Sequence, residues 1–169
     1  QSITPHQLHQ QCHQIVSQWC RVASDVVSYN MHIIIRYEIE RGLFSGDIKV
    51  DDIPSQWNQK MIDYLGVTVA SDAEGCLQDV HWSAGLFGYF PTYTLGTILA
   101  SQLYTKLLNV FPNFNELVQQ GTMQPINQWL NEHIHIKGRS LTTADLLSSL
   151  GIGYDVDAFV AVIQDQFGI

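Results

Sequence analysis

Residues 75–96 read Gly-Cys-Leu-Gln-Asp-Val-His-Trp-Ser-Ala-Gly-Leu-Phe-Gly-Tyr-Phe-Pro-Thr-Tyr-Thr-Leu-Gly. The stretch sets Gln78, Asp79, His81, Trp82, Tyr89 and Tyr93 among four glycines and one proline. Polar side chains thus stand between backbone positions that bend or allow close approach. Two readings fit: a buried polar loop between two helices, whose His and Tyr are satisfied core residues, or a site that gathers groups able to donate protons and hydrogen bonds. Asp79 and His81 are two apart and cannot share a helix face, but a turn can bring them together.

Helical signals flank the stretch on both sides. Pro91 opens a long helix to about Val110, with Leu95, Leu99, Leu103 and Leu107 spaced four apart. On the other side, Pro54 opens a helix through Trp57, Met61, Ile62 and Leu65 that Gly66 closes. Val67–Ala70 alternates weakly and is a candidate short strand. Further upstream, Thr4 and Pro5 start a helix expected over 4–19, carried by Leu8, Cys12, Ile15, Val16 and Trp19. Another starts near Ser24-Asp25 and runs to Arg41, with Gly42 and Gly46 ending it. Downstream, Pro112 breaks the long helix, and shorter ones follow over 113–120, 124–133, 142–150 and 155–167, with Thr142 or Thr143 and Asp145 giving the 142–150 helix a capped start. No repeat, linker or composition shift divides the chain. The expectation is a single, mainly α unit over 1–169 with at most a small strand pair.

Composition narrows the function. The chain of 169 residues can bury a core in one domain. Its net charge is −8 and its eight Lys and Arg are scattered, which argues against nucleic acid or an anionic membrane as partner. The longest apolar runs, such as Ile33-Ile34-Ile35, are too short to span a bilayer. Cys12, Cys20 and Cys76 form no C-x-x-C pair, and with no signal peptide they suggest reduced thiols in the cytoplasm. A start at Gln1 without Met suggests processing or a piece of something longer.

Among possible metal ligands, His9 and His13 have the i, i+4 spacing that can share one zinc on a helix. The metalloprotease pattern needs Glu directly after the first His; Gln10 stands there and cannot take a proton. The surrounding glutamines favour a solvated helix face. His133 and His135 read as surface histidines. Arg21 precedes a helix start, where an Arg fork can bind a carboxylate bidentately or pair with Asp25 or another acid. Arg36 lies within an apolar helix and reads as structural, with Glu40 four residues on as its partner. No phosphate loop, serine elbow or Cys–His signature is present.

These residues resemble the thermostable (Taq-type) zinc metallocarboxypeptidases. The family's G-x-x-Q-D-x-H-W motif is unbroken at Gly75, Gln78, Asp79, His81 and Trp82. Its I-R-x-x-A-D motif is partly matched by Cys20-Arg21-Val22-Ala23-Ser24-Asp25, with Cys20 at the apolar position and Ser24 for Ala. Tyr29–Glu38, Trp57–Met61, Gly88–Gly96 and Gly138-Arg139 are similar as well, so the likeness covers nearly the whole chain. The family's zinc motifs, His-Glu-x-x-His and His-Glu-Ser, are not in these residues and lie upstream in the family. The resemblance therefore implies the C-terminal portion of such an enzyme, forming one wall of its groove.

The resemblance also implies roles. Zinc or another divalent metal, held upstream, would polarise the scissile carbonyl and activate water with an upstream Glu as base. This chain alone would hold no metal and be inactive. Arg21 would take the substrate's terminal carboxylate, and His81 and Tyr93 would donate to the oxyanion. Gln78 and Asp79 would position His81 or line the pocket, and Tyr89 is a further substrate-side candidate. Peptides are the implied substrates, losing single C-terminal amino acids, and a homodimer is among the admissible assemblies. The competing reading is a stand-alone, non-catalytic helical module that binds peptides or a partner protein.

Overall fold

The computed structural model describes residues 3–168, with His6, His9 and Gln10 described by their backbone alone. Among these residues the architecture is all helical, without a strand. The helices are α1 (Pro5–Cys12), α2 (Val26–Ser45), α3 (Ile53–Leu65), α4 (Pro91–Val110), α5 (Phe114–Gln119), α6 (Gln124–His133), α7 (Thr143–Leu150) and α8 (Val156–Phe167). Packing divides the chain into two compact units, 1–94 and 95–169.

The first unit is built on α2 and α3. Asp25 caps α2, one carboxylate oxygen accepting from the Val27 and Ser28 amides at 2.9 Å each. Gly46, at φ 85°, ends it. Pro54 sits in the first turn of α3 and Gly66 closes it. Between the two helices lies the core of Ile35, Ile39, Trp57, Met61, Leu65 and Cys76, with Trp82 packed against it. Each such side chain contributes roughly 1.5–3 kcal/mol by leaving water. Cys76 and Trp82 belong to the 75–96 stretch, so the core that joins α2 to α3 also anchors that stretch. Helix α2 buries polar residues too: Asn30, His32, Arg36 and Glu40. Buried charges need partners, and they find them in the same stretch.

In the second unit, Thr142 and Asp155 cap α7 and α8. Ile98, Leu107, Ile126, Leu150 and Ile163 are its buried apolar side chains. The His133 ring stacks on Trp129, its Nδ1 2.9 Å from that residue's carbonyl oxygen.

Several expectations are corrected. The first helix ends at Cys12 rather than near residue 19. Beyond it, the Val16 amide donates to Asp25 Oδ2 (3.1 Å) and the Trp19 carbonyl accepts from Gln78 (3.0 Å). These tertiary bonds take backbone groups that a helix would use. Helix α2 continues through Gly42 to Ser45, and Gly42 serves packing rather than termination: Ile48 lies directly on its backbone, in the space a Cβ would fill. Val67–Ala70 is irregular rather than a strand.

Candidate active site

Within the first unit, residues 75–90 form successive turns. The Leu77 amide bonds Asp72 O at 2.8 Å, Ala84 bonds Val80 O at 3.0 Å and Leu86 bonds His81 O at 2.8 Å. Gln78 joins these turns to residues 19–21. Its Nε2 donates to the Trp19 and Glu74 carbonyls at 3.0 and 2.8 Å, and its Oε1 accepts from the Arg21 amide at 3.0 Å. Gln78 thus fixes the backbone that carries Arg21.

Asp79 stands between two guanidiniums. Arg21 Nη2 donates to Oδ1 at 2.6 Å, and its Nε lies 3.2 Å from both oxygens. Arg36 Nε donates to Oδ2 at 2.7 Å; its Nη2 is also 2.7 Å from Oδ2, in an ion-pair contact outside hydrogen-bonding geometry. Arg21 Nη1 donates to the Tyr29 hydroxyl at 2.8 Å and Arg36 Nη1 to the His32 carbonyl at 2.7 Å. Aromatic faces complete the setting: Arg21 lies over Tyr93 (5.2 Å) and Arg36 over Trp57 (4.5 Å).

Burial pulls the Asp79 carboxyl up, but the Arg21 hydrogen bond and the charges of Arg36 and Arg21 outweigh it and hold it below its ordinary range. Arg21 is buried as well, yet Asp79 and Tyr29 leave it above its ordinary value. Burial brings Arg36 down to about 10, with Asp79 opposing and Arg21 adding to the fall. At neutral pH all three are charged.

His81 and Tyr93 meet beside this group. His81 Nε2 is 3.1 Å from the Tyr93 hydroxyl, the donor being set by the ring tautomer. His81 Nδ1 is buried without a hydrogen-bond partner, and Asp79 Oδ1 stands 3.9 Å away, too far for a bond. The His81 ring packs on Phe90 at 4.4 Å between centroids. Tyr89 is half exposed, 5.7 Å from the His81 ring and 5.5 Å from the Tyr93 ring. The structure therefore gathers Arg21, Gln78, Asp79, His81, Tyr89 and Tyr93 into one region.

One partnership differs from expectation. Arg36 pairs with Asp79 rather than Glu40, and Glu40 accepts from Trp82 Nε1 and the Gly88 amide instead. Of the alternatives open for Arg21, the pair is with another acid, Asp79, and Asp25 caps α2. Tyr29, Arg36 and Glu40 are site residues that the sequence reading left out. The available signal was the charge of Arg36 and Glu40 inside an apolar helix, which demands partners.

Among the described residues no three His, Cys, Asp or Glu side chains cluster as a metal site. The His9 side chain lies outside the described residues, and α1 ends one residue before His13. The described side chains make no ligand set for a catalytic metal.

An all-helical unit that sets two arginines on one carboxylate beside a His–Tyr pair has a place among known folds. Residues 1–167 match the family model described as Carboxypeptidase Taq (M32) metallopeptidase, and the chain belongs to that family. Carboxypeptidase 1 of Bacillus subtilis (strain 168) is 49% identical over 142 residues, 81% of this chain and 28% of that protein. Thermostable carboxypeptidase 1 of Pyrococcus furiosus is 39% identical over 166 residues, 97% of this chain and 33% of that one. The solved structure of Trypanosoma cruzi metallocarboxypeptidase 1 superposes with a TM-score of 0.93 at 35% identity, over 98% of this chain and 35% of its own. The chain thus spans about a third of the length of the relatives it matches.

Proposed function

We propose that these residues form one wall of the groove of a metallocarboxypeptidase that releases single C-terminal amino acids from peptides. The observation that carries the reading is the sharing of Asp79 by Arg21 and Arg36 next to His81 and Tyr93. Two guanidinium charges against one carboxylate leave one positive charge in excess in a largely buried group. A guanidinium has five N–H donors; Asp79 and Tyr29 engage three of those on Arg21. A substrate's terminal carboxylate fits the two that remain, with Arg36 keeping Asp79 neutralised.

In this reading His81 and Tyr93 donate to the oxyanion that forms as the scissile carbonyl becomes tetrahedral. Gln78 holds the Arg21 segment, Asp79 holds both arginines, and Tyr89 lines the substrate side. The metal, zinc or another divalent ion, belongs to residues of a longer polypeptide of which this chain is the C-terminal portion. Cys12, Cys20 and Cys76 are free thiols, which supports a reduced, cytoplasmic setting, and no helix of the described residues is long and apolar enough to cross a membrane.

The test uses the complete polypeptide that carries this chain. Arg21→Ala should raise KM for a peptide with a free C-terminus, and an amidated peptide should lose less. Tyr93→Phe removes one hydroxyl and should lower kcat by roughly 10²–10³ with KM nearly unchanged, the scale of one lost oxyanion donor. Full turnover with a lowered Tm would make Tyr93 a packing residue and remove it from the mechanism.

A further inference from the structure

We infer that Glu40 is a positioning residue for the His81–Tyr93 pair, its two carboxylate oxygens pinning the two ends of the turn from Trp82 to Gly88. Glu40 is 3% exposed on α2. Its Oε1 accepts from Trp82 Nε1 at 2.7 Å and its Oε2 from the Gly88 amide at 3.0 Å. Between these anchors the backbone closes on itself: Gly85 N bonds Trp82 O at 3.0 Å and Leu86 N bonds His81 O at 2.8 Å. The turn is one unit, and one side chain fixes it to α2 at two points.

Each anchor adjoins a member of the pair. Trp82 follows His81 directly. Gly88, whose φ of 74° suits glycine, leads through Phe90 into the first turn of α4, where Tyr93 N bonds Phe90 O at 3.1 Å. Phe90 is 1% exposed and touches both His81 (4.4 Å) and Trp82 (6.0 Å, edge to face). A displacement of Trp82 or Gly88 therefore reaches the 3.1 Å contact between His81 and Tyr93 from both sides. An apolar side chain at position 40 would fill the same space without needing two donors. What the carboxylate adds is direction, because a buried carboxylate must keep both oxygens paired.

The catalytic consequence rests on the oxyanion role proposed above for His81 and Tyr93. In the complete polypeptide, Glu40→Gln keeps the shape but replaces one acceptor with a donor. It should lower kcat on the order of 10-fold to 10²-fold, the scale of a small misplacement at the reacting centre, while KM changes less than about twofold. In a Tyr93→Phe background the same change should cost less than about twofold, because the pair is already broken. Additive losses in the two backgrounds, or an unchanged kcat, overturn the inference.

A second readout needs no turnover. The ¹⁵N signals of the His81 ring should move in Glu40→Gln and stay fixed in Glu38→Gln, whose carboxylate serves Lys60 and Tyr64 instead. A polypeptide without peptidase activity would defeat the proposed function and leave this signal to decide the role of Glu40. An unmoved His81 ring overturns that role. Should Glu40→Gln fail to fold, Trp82→Phe removes the Nε1–H and keeps an aromatic ring, and the same two readouts apply.

Discussion

Lowering the pH from 7 to 5 should destabilise the protein through His32, and His32→Leu should remove that sensitivity. His32 lies on α2, 0% exposed. Neither ring nitrogen reaches a partner at hydrogen-bonding geometry, although the Gln18 backbone lies close enough to favour the charged form slightly. Burial first, then the charge of Arg36 and more weakly of Arg21, lowers its pKa from 6.5 to about 4, with Asp79 opposing. The unfolded chain therefore takes up a proton near pH 6.5, and the folded protein only near 4. Stability from this residue is complete above pH 6.5 and is lost as the pH falls between those values. At 1.36 kcal/mol per unit the interval is worth about 3 kcal/mol, of which about 2 is gone by pH 5. Asp25, Glu38 and Asp79 have carboxyls held below their ordinary range, so their losses come at lower pH and leave this window to His32. Denaturant midpoints at pH 7 and pH 5, for wild type and His32→Leu, give the answer. Leucine supplies an apolar side chain of similar volume that takes up no proton. Equal losses in the two proteins would refute the reasoning.

Asp79→Asn removes the one negative charge between Arg21 and Arg36 and should cost about 3–5 kcal/mol, the scale of breaking a buried ion pair from one side; a Tm within a degree of wild type would show that the cluster is not held by charge. Asp25→Ala removes the cap of α2 and the link to Val16 and should cost about 1–2 kcal/mol in denaturant unfolding, with no loss if the helix start is held by packing alone.

The helix starts were legible because their chemistry is local. Asp25, Pro54, Pro91, Thr142 and Asp155 each act within a turn of their own position. Residues 13–20 were not legible. Ile15, Val16 and Trp19 have helical spacing, yet all three are exposed, and the backbone there answers to Asp25, nine residues away, and Gln78, 59 away. The site divides the same way. His81, Asp79 and Tyr93 stood out in a motif that glycines and a proline mark as a bend. The pairing of Asp79 with Arg21 and Arg36 did not, because Asp79 reaches Arg21 across 58 residues and Arg36 across 43. The local rule of four-residue spacing assigned Arg36 to Glu40; tertiary packing instead gave the two charges separate partners, one at each end of the Asp79–Gly88 segment.

That separation bears on why two arginines surround one aspartate. A single Arg–Asp pair is neutral and offers little to an arriving anion. A second guanidinium, fully buried and fixed by Asp79 and the His32 carbonyl, satisfies the aspartate from behind. Arg21 is then oriented by Asp79 and Tyr29 without being neutralised by them. Lysine could not take its place, since orientation depends on the planar fork that lets one edge face Asp79 while other donors point elsewhere. In the proposed reading this is how a carboxylate site is built inside a protein. The counter-charge fixes the arginine's direction, and the second arginine restores the excess of charge that the substrate requires.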